Sequence, residues 1–251
     1  MKIALAQTKP IKGDVAANLE VHKYFVTGAV KLGASLIVFP ELSLTGYEPS
    51  LAAELATSVK DHCFEGLQKL SDTHNITICA GMPTRAGNGI NITMLIFQQG
   101  QPPKMYSKKY LHADEEPFFV CGENFPVLAL DKKKFGLAIC YEISVDQHAS
   151  EAADHGATIY IASVAKTAAG VERAFETLAD ISRQYRMEVL FCNGVGPADD
   201  FVAAGQTAAW DNNGILLGKL DREKEGLLVF DSESKELFCI HEKLNSSQAA
   251  P

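Results

Sequence analysis

Short apolar runs recur along the chain with amphipathic stretches between them. Residues 2–8 predict a first core strand. Asp14 is placed to cap a helix running through Val30-Lys31-Leu32, and Gly33 is placed to end it. Leu36-Ile37-Val38-Phe39 is wholly apolar, which suits a strand covered on both faces. A helical pattern fills 51–74, and 76–82 predicts the next strand. Residues 90–99 and 104–108 flank Gly100-Gln101-Pro102-Pro103 and predict a hairpin with a four-residue loop. Residues 126–130 and 135–140 predict another. A helix from about Val145 should stop at Gly156, 158–163 should be a strand, and 171–187 an amphipathic helix. Strands then dominate, at 189–192, 206–210, 215–220 and 226–230, with Asp211-Asn212-Asn213-Gly214 as a turn. The pattern predicts one domain over 1–244, mixed sheet inside and helices outside, and a flexible tail at 245–251.

Composition narrows the class without changing that picture. The chain has 251 residues, 47% hydrophobic and 22% charged, which suits one large globular α/β domain. A net charge of -8 argues against a nucleic-acid partner, and Lys132-Lys133-Lys134 reads as a solvated turn before a strand. No apolar stretch approaches the ~20 residues of a membrane span. The opening Met1-Lys2-Ile3-Ala4-Leu5 is too soon interrupted for a signal peptide, so a cytoplasmic location is expected. Six cysteines occur without a CxxC pair. Cys79 and Cys192 lie in apolar surroundings and read as buried free thiols in a reducing compartment. His148 and His155 could share a helix face, but no third ligand is in register. A solvated face and no metal are expected.

Three apolar runs end in reactive side chains. Leu36-Ile37-Val38-Phe39-Pro40-Glu41 ends in a carboxylate, Tyr106-Ser107-Lys108-Lys109-Tyr110-Leu111 carries an ammonium, and Phe135-Gly136-Leu137-Ala138-Ile139-Cys140 delivers a thiol. Taken singly, these residues suit a solvated turn, a charged rim and a packed thiol. Together, at the C-terminal ends of strands, they stand where α/β folds gather ligands. A thiolate attacks carbonyl carbon well, but a free thiol of pKa ~8.5 needs a base or a cation at neutral pH. Glu41 could take the proton. Lys108 could stabilise both the thiolate and the oxyanion, with the Tyr141 backbone amide as a second donor.

These three segments resemble the motifs of the nitrilase superfamily of carbon–nitrogen hydrolases. Further matches run nearly end to end, among them Ile3-Ala4-Leu5-Ala6-Gln7, Thr45-Gly46-Tyr47, Asn91-Ile92-Thr93 and Gly205-Gln206-Thr207. The resemblance implies an α/β fold, a four-layer α-β-β-α sandwich, with no cofactor. It implies Glu41 as general base, Lys108 as the oxyanion cation and Cys140 as nucleophile. It implies a further orienting glutamate. Counting back from Gly122 through Phe119 favours Glu115 over Glu116. It also implies a homodimer or larger assembly.

The sequence departs from the family pattern in places. Tyr110 stands where a histidine is common, the helix around Ile181-Ser182-Arg183 lacks the usual arginine–alanine–glutamate signature, and Ser163-Val164-Ala165-Lys166 replaces a Pro-Ser-aromatic pattern. Tyr141 after the cysteine argues against a nitrilase proper, and the lack of a span argues against the acyltransferase branch. Hydrolysis of a small non-peptide amide with release of ammonia is the expected reaction. An N-carbamoyl-amine hydrolase or a non-catalytic binding protein on the same scaffold is the alternative. A Cys–His hydrolase using His112 would leave Glu41 and Lys108 unexplained. The substrate stays open between an acidic amide held by Lys166 or Arg173 and a neutral one in a pocket shaped by Tyr47, Phe119 and Tyr141.

Overall fold

Side-chain alternation along the strands sets the layering. The computed structural model describes residues 1–87, 89–123 and 127–241. In β1 (Lys2–Gln7), Ile3 and Leu5 enter one apolar cluster while Ala4 and Ala6 enter another. The same split occurs in β2 (Ala34–Val38), where Leu36 and Val38 join the first cluster and Ile37 the second. The period of two thus gives each strand two buried faces. The second cluster is closed by α1 (Val15–Lys31) and α3 (Glu65–His74), through Leu19, Phe25 and Val26 of α1 and Leu67 of α3.

These strands belong to a seven-stranded sheet ordered β15-β14-β1-β2-β3-β4-β5. Its other members are β3 (Thr77–Ala86), β4 (Gly89–Phe97), β5 (Lys104–Ser107), β14 (Gly226–Asp231) and β15 (Leu237–His241). A second, six-stranded sheet runs β13-β12-β9-β8-β7-β6. It comprises β6 (Val127–Leu130), β7 (Lys133–Ile139), β8 (Ile159–Val164), β9 (Glu188–Asn193), β12 (Ala208–Trp210) and β13 (Leu216–Lys219). Leu137, Ile139, Ile161 and Leu190 of this sheet meet Ile3, Leu5, Leu36 and Val38 of the first. On its outer face, Ala138, Tyr160 and Ala162 pack under α4 (Asp146–Asp154) and α5 (Ala168–Tyr185). Three apolar clusters therefore separate four layers, α-β-β-α.

Strand direction positions the site. β1, β2 and β3 are parallel, and β4 reverses so that β5 runs with them again. In the other sheet β7, β8 and β9 are parallel. The C-terminal ends of β2 and β5 deliver Glu41 and Lys108, and those of β7 and β8 deliver Cys140 and Lys166.

Several elements differ from the sequence expectation. The helix expected over 51–74 is broken. α2 (Ala52–Leu55) ends at Ala56, which is extended, and Thr57 pairs with Thr84. Asp61 then caps a short 3-10 turn by accepting from the Cys63 amide at 3.0 Å. These local side-chain bonds compete with helix continuation. β3 extends past Met82 to pair with β4 as far as Ala86–Gly89. A hairpin of β10 (Val195–Ala198) and β11 (Phe201–Ala204), and strand β15, lacked a legible pattern. Lys133 and Lys134 lie within β7, so the turn is only Asp131-Lys132. His148 is buried, not solvated, because α4 lays it against Tyr106 and Tyr160; His155 is exposed as expected. All six cysteines are free, and Cys79 and Cys192 are buried. Pro126 and the tail expected at 245–251 lie outside the described residues.

Candidate active site

β2 ends at Val38, and Phe39-Pro40-Glu41 carries the chain into the space between the sheets. Gly81 of β3 makes this approach possible. A Cβ there would stand 2.7 Å from the Pro40 carbonyl oxygen and nearer still to the Leu42 amide nitrogen. Lys108 follows β5 and is held by its backbone. Its amide donates to the Ile92 carbonyl at 2.8 Å, and its carbonyl accepts from Gly122 at 2.7 Å.

Lys108, Glu41 and Glu115 are buried together. The Lys108 Nζ lies 2.8 Å from Glu41 Oε1 and 2.6 Å from Glu115 Oε1. Burial alone would discharge the ammonium, but the charges of Glu41, Cys140 and Glu115 outweigh it and raise the lysine above its ordinary value. Glu115 is fixed in turn by Tyr47 Oη at 3.0 Å and the His112 amide at 2.8 Å. Burial raises the Glu41 carboxyl; Lys108 opposes the shift and Glu115 reinforces it. Glu41 Oε2 is buried and has no hydrogen-bond partner among the described residues. A free lone pair of this kind is what a general base requires.

Cys140 is the first residue after β7 and has φ +45°, the left-handed region. Chain reversal there starts a single 3-10 turn, Cys140–Ser144, and leaves the thiol half-buried at a cavity wall. Burial pushes the thiol up to about 11, and Glu41 adds to this; Lys166 and Lys108 pull it down. The Cys140 thiol thus stands beside the Glu41 carboxylate.

Glu142 holds this arrangement together, and the sequence reading missed it. Buried two residues past Cys140, its carboxylate accepts from the Ile139 amide at 2.7 Å and the Lys109 amide at 2.6 Å. The Tyr106 hydroxyl lies 2.8 Å from both of its oxygens. His148 stands behind, 2.9 Å from Tyr106 Oη and 2.7 Å from Tyr160 Oη. Burial pushes Glu142 up to about 7, against the pull of those donors, and pushes His148 down to about 4. The only sequence signal was the placing of Tyr106 two before Lys108 and Glu142 two after Cys140.

A cavity of about 390 Å³ opens on Cys140, with Tyr47, Phe118, Tyr141, Lys166 and Arg173 in its walls. Tyr47 and Tyr141, expected to shape the pocket, both line this cavity. Phe119 does not: it is 3% exposed and packs in the core between the sheets, while Phe118 takes the wall. The turn over 115–119, in which the amides of both phenylalanines donate to the Glu115 carbonyl, decides which ring faces out. His112 lies at the rim, its Nδ1 2.6 Å from Asp114. Lys109 points away, to Glu151 at 2.8 Å. A larger groove of about 660 Å³ between α4 and α5 holds none of these convergent groups.

A family model described as carbon-nitrogen hydrolase matches residues 2–237. A protein of Pseudomonas protegens named "Hydrolase in pqqF 5'region" is 30% identical over 243 residues, covering 91% of this chain and 81% of its own length. The 2-oxoglutaramate amidase of Bacillus subtilis is 26% identical over 236 residues, 92% of this chain and 90% of that protein. Among solved structures, the amidase from Nesterenkonia sp. AN1 in complex with butyramide superimposes with a TM-score of 0.84 at 26% identity, over 94% of this chain and 92% of that one. Another form of that amidase carries the acetamide moiety of fluoroacetamide added covalently at its active site cysteine. With the four-layer architecture and a match over nearly its whole length, this chain belongs to the carbon–nitrogen hydrolase family and has the fold of the nitrilase-superfamily amidases.

Proposed function

We propose that the protein hydrolyses the C–N bond of a small primary amide through a thioester on Cys140 and releases ammonia. The observation that carries this reading is the buried Glu41–Lys108–Glu115 cluster beside the thiol, with the second Glu41 oxygen unbonded to Lys108 and buried on the side of Cys140. In the first step Glu41 takes the thiol proton as Cys140 Sγ forms a bond to the amide carbon. The carbonyl π electrons move to oxygen, where the Lys108 ammonium stabilises them. Collapse of the tetrahedral intermediate breaks the C–N bond, and the proton held by Glu41 goes to the departing nitrogen. Water then attacks the thioester, with Glu41 again accepting a proton, and the carboxylic acid leaves as the thiol re-forms. Glu115, bonded to Lys108 and fixed by Tyr47, keeps the ammonium aimed and is a positioning residue. Residues 1–244 act as one hydrolase domain in this reading, supported by β14 and β15, which close the first sheet beside β1.

The test is an ammonia-release screen over primary amides, ω-amides of dicarboxylates and N-carbamoyl amines, run with Cys140→Ala as the control. Release from an amide, its loss in the variant and an acyl adduct on Cys140 by mass spectrometry are expected. Turnover confined to N-carbamoyl amines would move the assignment to that branch. Absence of turnover on all three classes, with no adduct, would favour a binding protein.

A further inference from the structure

Lys166 and Arg173 are cations of the cavity wall that the chemistry above does not use, and Lys166 is the one next to Cys140. The Lys166 backbone is pinned with unusual thoroughness. The buried Asn193 side chain accepts from the Lys166 amide at 2.9 Å and donates to its carbonyl at 3.1 Å, and the Ala204 amide donates to that carbonyl at 2.9 Å. Asn193 is itself held by the Gly205 carbonyl at 2.9 Å and by Thr207. The preceding Ala165 carbonyl lies 4.0 Å from Cys140 Sγ. The side chain of Lys166 is thus fixed at its root, next to the nucleophile.

Its ammonium is not fixed by protein. Among the described residues neither the Lys166 Nζ nor the Arg173 guanidinium has a hydrogen-bond or carboxylate partner, although both line the cavity. Lys108, by contrast, has two carboxylates and Lys109 has one. The cavity also has carboxylates in its wall, but they are differently placed. Glu115 is bonded to Lys108, Asp114 is engaged by His112, and Asp199 and Asp200 are exposed on the β10–β11 turn. Of the two cations Lys166 is half-buried, next to the residue whose carbonyl meets the thiol, and Arg173 is exposed. A half-buried ammonium gains most from a negatively charged group brought by the ligand, through a shorter and stronger charge-assisted hydrogen bond. Its charge also acts on the Cys140 thiol more strongly than that of Lys108.

Resting on the amidase reading, we infer that Lys166 binds a carboxylate of the substrate, so the preferred substrates are monoamides of short dicarboxylic acids. Arg173, exposed on the first turns of α5, assists from the outer side. The amide carbonyl then sits between Cys140 and Lys108 while the distal carboxylate meets Lys166.

Two matched pairs of probes isolate this contact. Succinamate differs from butyramide, and glutaramate from pentanamide, by a carboxylate in place of a methyl group. Each is titrated by calorimetry into the full chain carrying Cys140→Ala, which binds without turnover. At least one acid should bind about tenfold tighter than its neutral partner, a ratio of the size a charge-assisted contact gives. Adding Lys166→Met should remove most of that ratio, and Lys166→Arg should restore part of it. Circular dichroism of each variant checks that the fold is retained. Equal affinity within both pairs, or a ratio that survives Lys166→Met, overturns the inference. Failure of the amidase reading looks different: the intact protein would release no ammonia from any of the four probes while the binding ratio persisted.

Discussion

At the scale of single residues, two thiols of equal reactivity are not expected in this protein. Cys140 alone has a carboxylate lone pair and two lysines at hand. Burial, reinforced by Asp61, raises Cys63 to about 12. Loss of activity on iodoacetamide treatment should track modification of Cys140 by peptide mass spectrometry, and an amide substrate should protect it. Cys63→Ala and Cys239→Ala should keep activity within about twofold, since neither touches the machinery. Full activity in protein alkylated at Cys140 would displace Cys140 from its role. In the proposed mechanism Glu41 sets the pH response. As general base it must be ionised, and burial raises its carboxyl above the ordinary 4.5. Activity should therefore fall as pH drops through that raised value. The acid limb of kcat/KM should lie above pH 4.5, and Glu41→Gln should lose about 10²–10⁴ in rate. A limb at or below the ordinary carboxylate value would assign it to another group.

At the scale of elements, the site depends on how strand ends are tied to one another. Glu142 joins the end of β7 to the Lys108–Tyr110 segment after β5. Glu142→Ala would leave the Ile139 and Lys109 amides without their acceptor, while the Tyr106 hydroxyl keeps His148. At about 1–3 kcal/mol for each unsatisfied buried group, a loss of at least about 2 kcal/mol follows. Thermal unfolding should show it, and kcat should fall further than KM rises, since the carboxylate touches no substrate. Loss of stability with kcat unchanged would make Glu142 structural only. Gly81 is the second tie. Gly81→Ala would push a methyl group into the Pro40–Leu42 backbone, which has no flexible end to give way. A destabilisation of about 1–3 kcal/mol is expected from overpacking, with Glu41 displaced. Wild-type kcat in a stably folded Gly81→Ala protein would show that the Glu41 segment tolerates the shift.

At the scale of the whole molecule, two sheets face each other and each brings half of the site. Glu41 and Lys108 come from one, Cys140 and Lys166 from the other. The Ser163 hydroxyl bonds the Phe39 carbonyl at 2.8 Å and stitches the two together near the chemistry. The outer helices α4 and α5 keep an open groove lined by Asp146, Thr177, Arg183 and Tyr185. The family resemblance implies association through helices near the site, and a homodimer or larger species is expected. Sedimentation equilibrium at micromolar concentration should give at least twice 27.2 kDa. A monomer at every concentration would rule the assembly out. Among the described residues no helix is long and apolar enough to cross a membrane.

Much of this was legible in the linear chain, for a physical reason. Strands buried on both faces are continuous apolar runs, so β2 and β7 announce themselves, and a polar side chain ending such a run stands out. Glu41, Lys108 and Cys140 could be named on that basis, and Glu115 followed from the spacing of the resembled motif. Local capping was equally readable: Asp14 does accept from the Ala17 amide, at 3.0 Å. Readability stopped where a residue's surroundings come from distant segments. Phe118 and Phe119 are chemically identical neighbours, and only the turn after Glu115 sends one to the cavity and the other to the core. His148 looks like a surface histidine until α4 docks it onto Tyr106 and Tyr160. Lys166 and Arg173 are equal candidates in the sequence until Asn193, twenty-seven residues on from Lys166, pins that lysine beside the thiol. Hydrophobic period and motif spacing are properties of neighbours in sequence; burial, orientation and the pairing of charges depend on segments brought together only by folding.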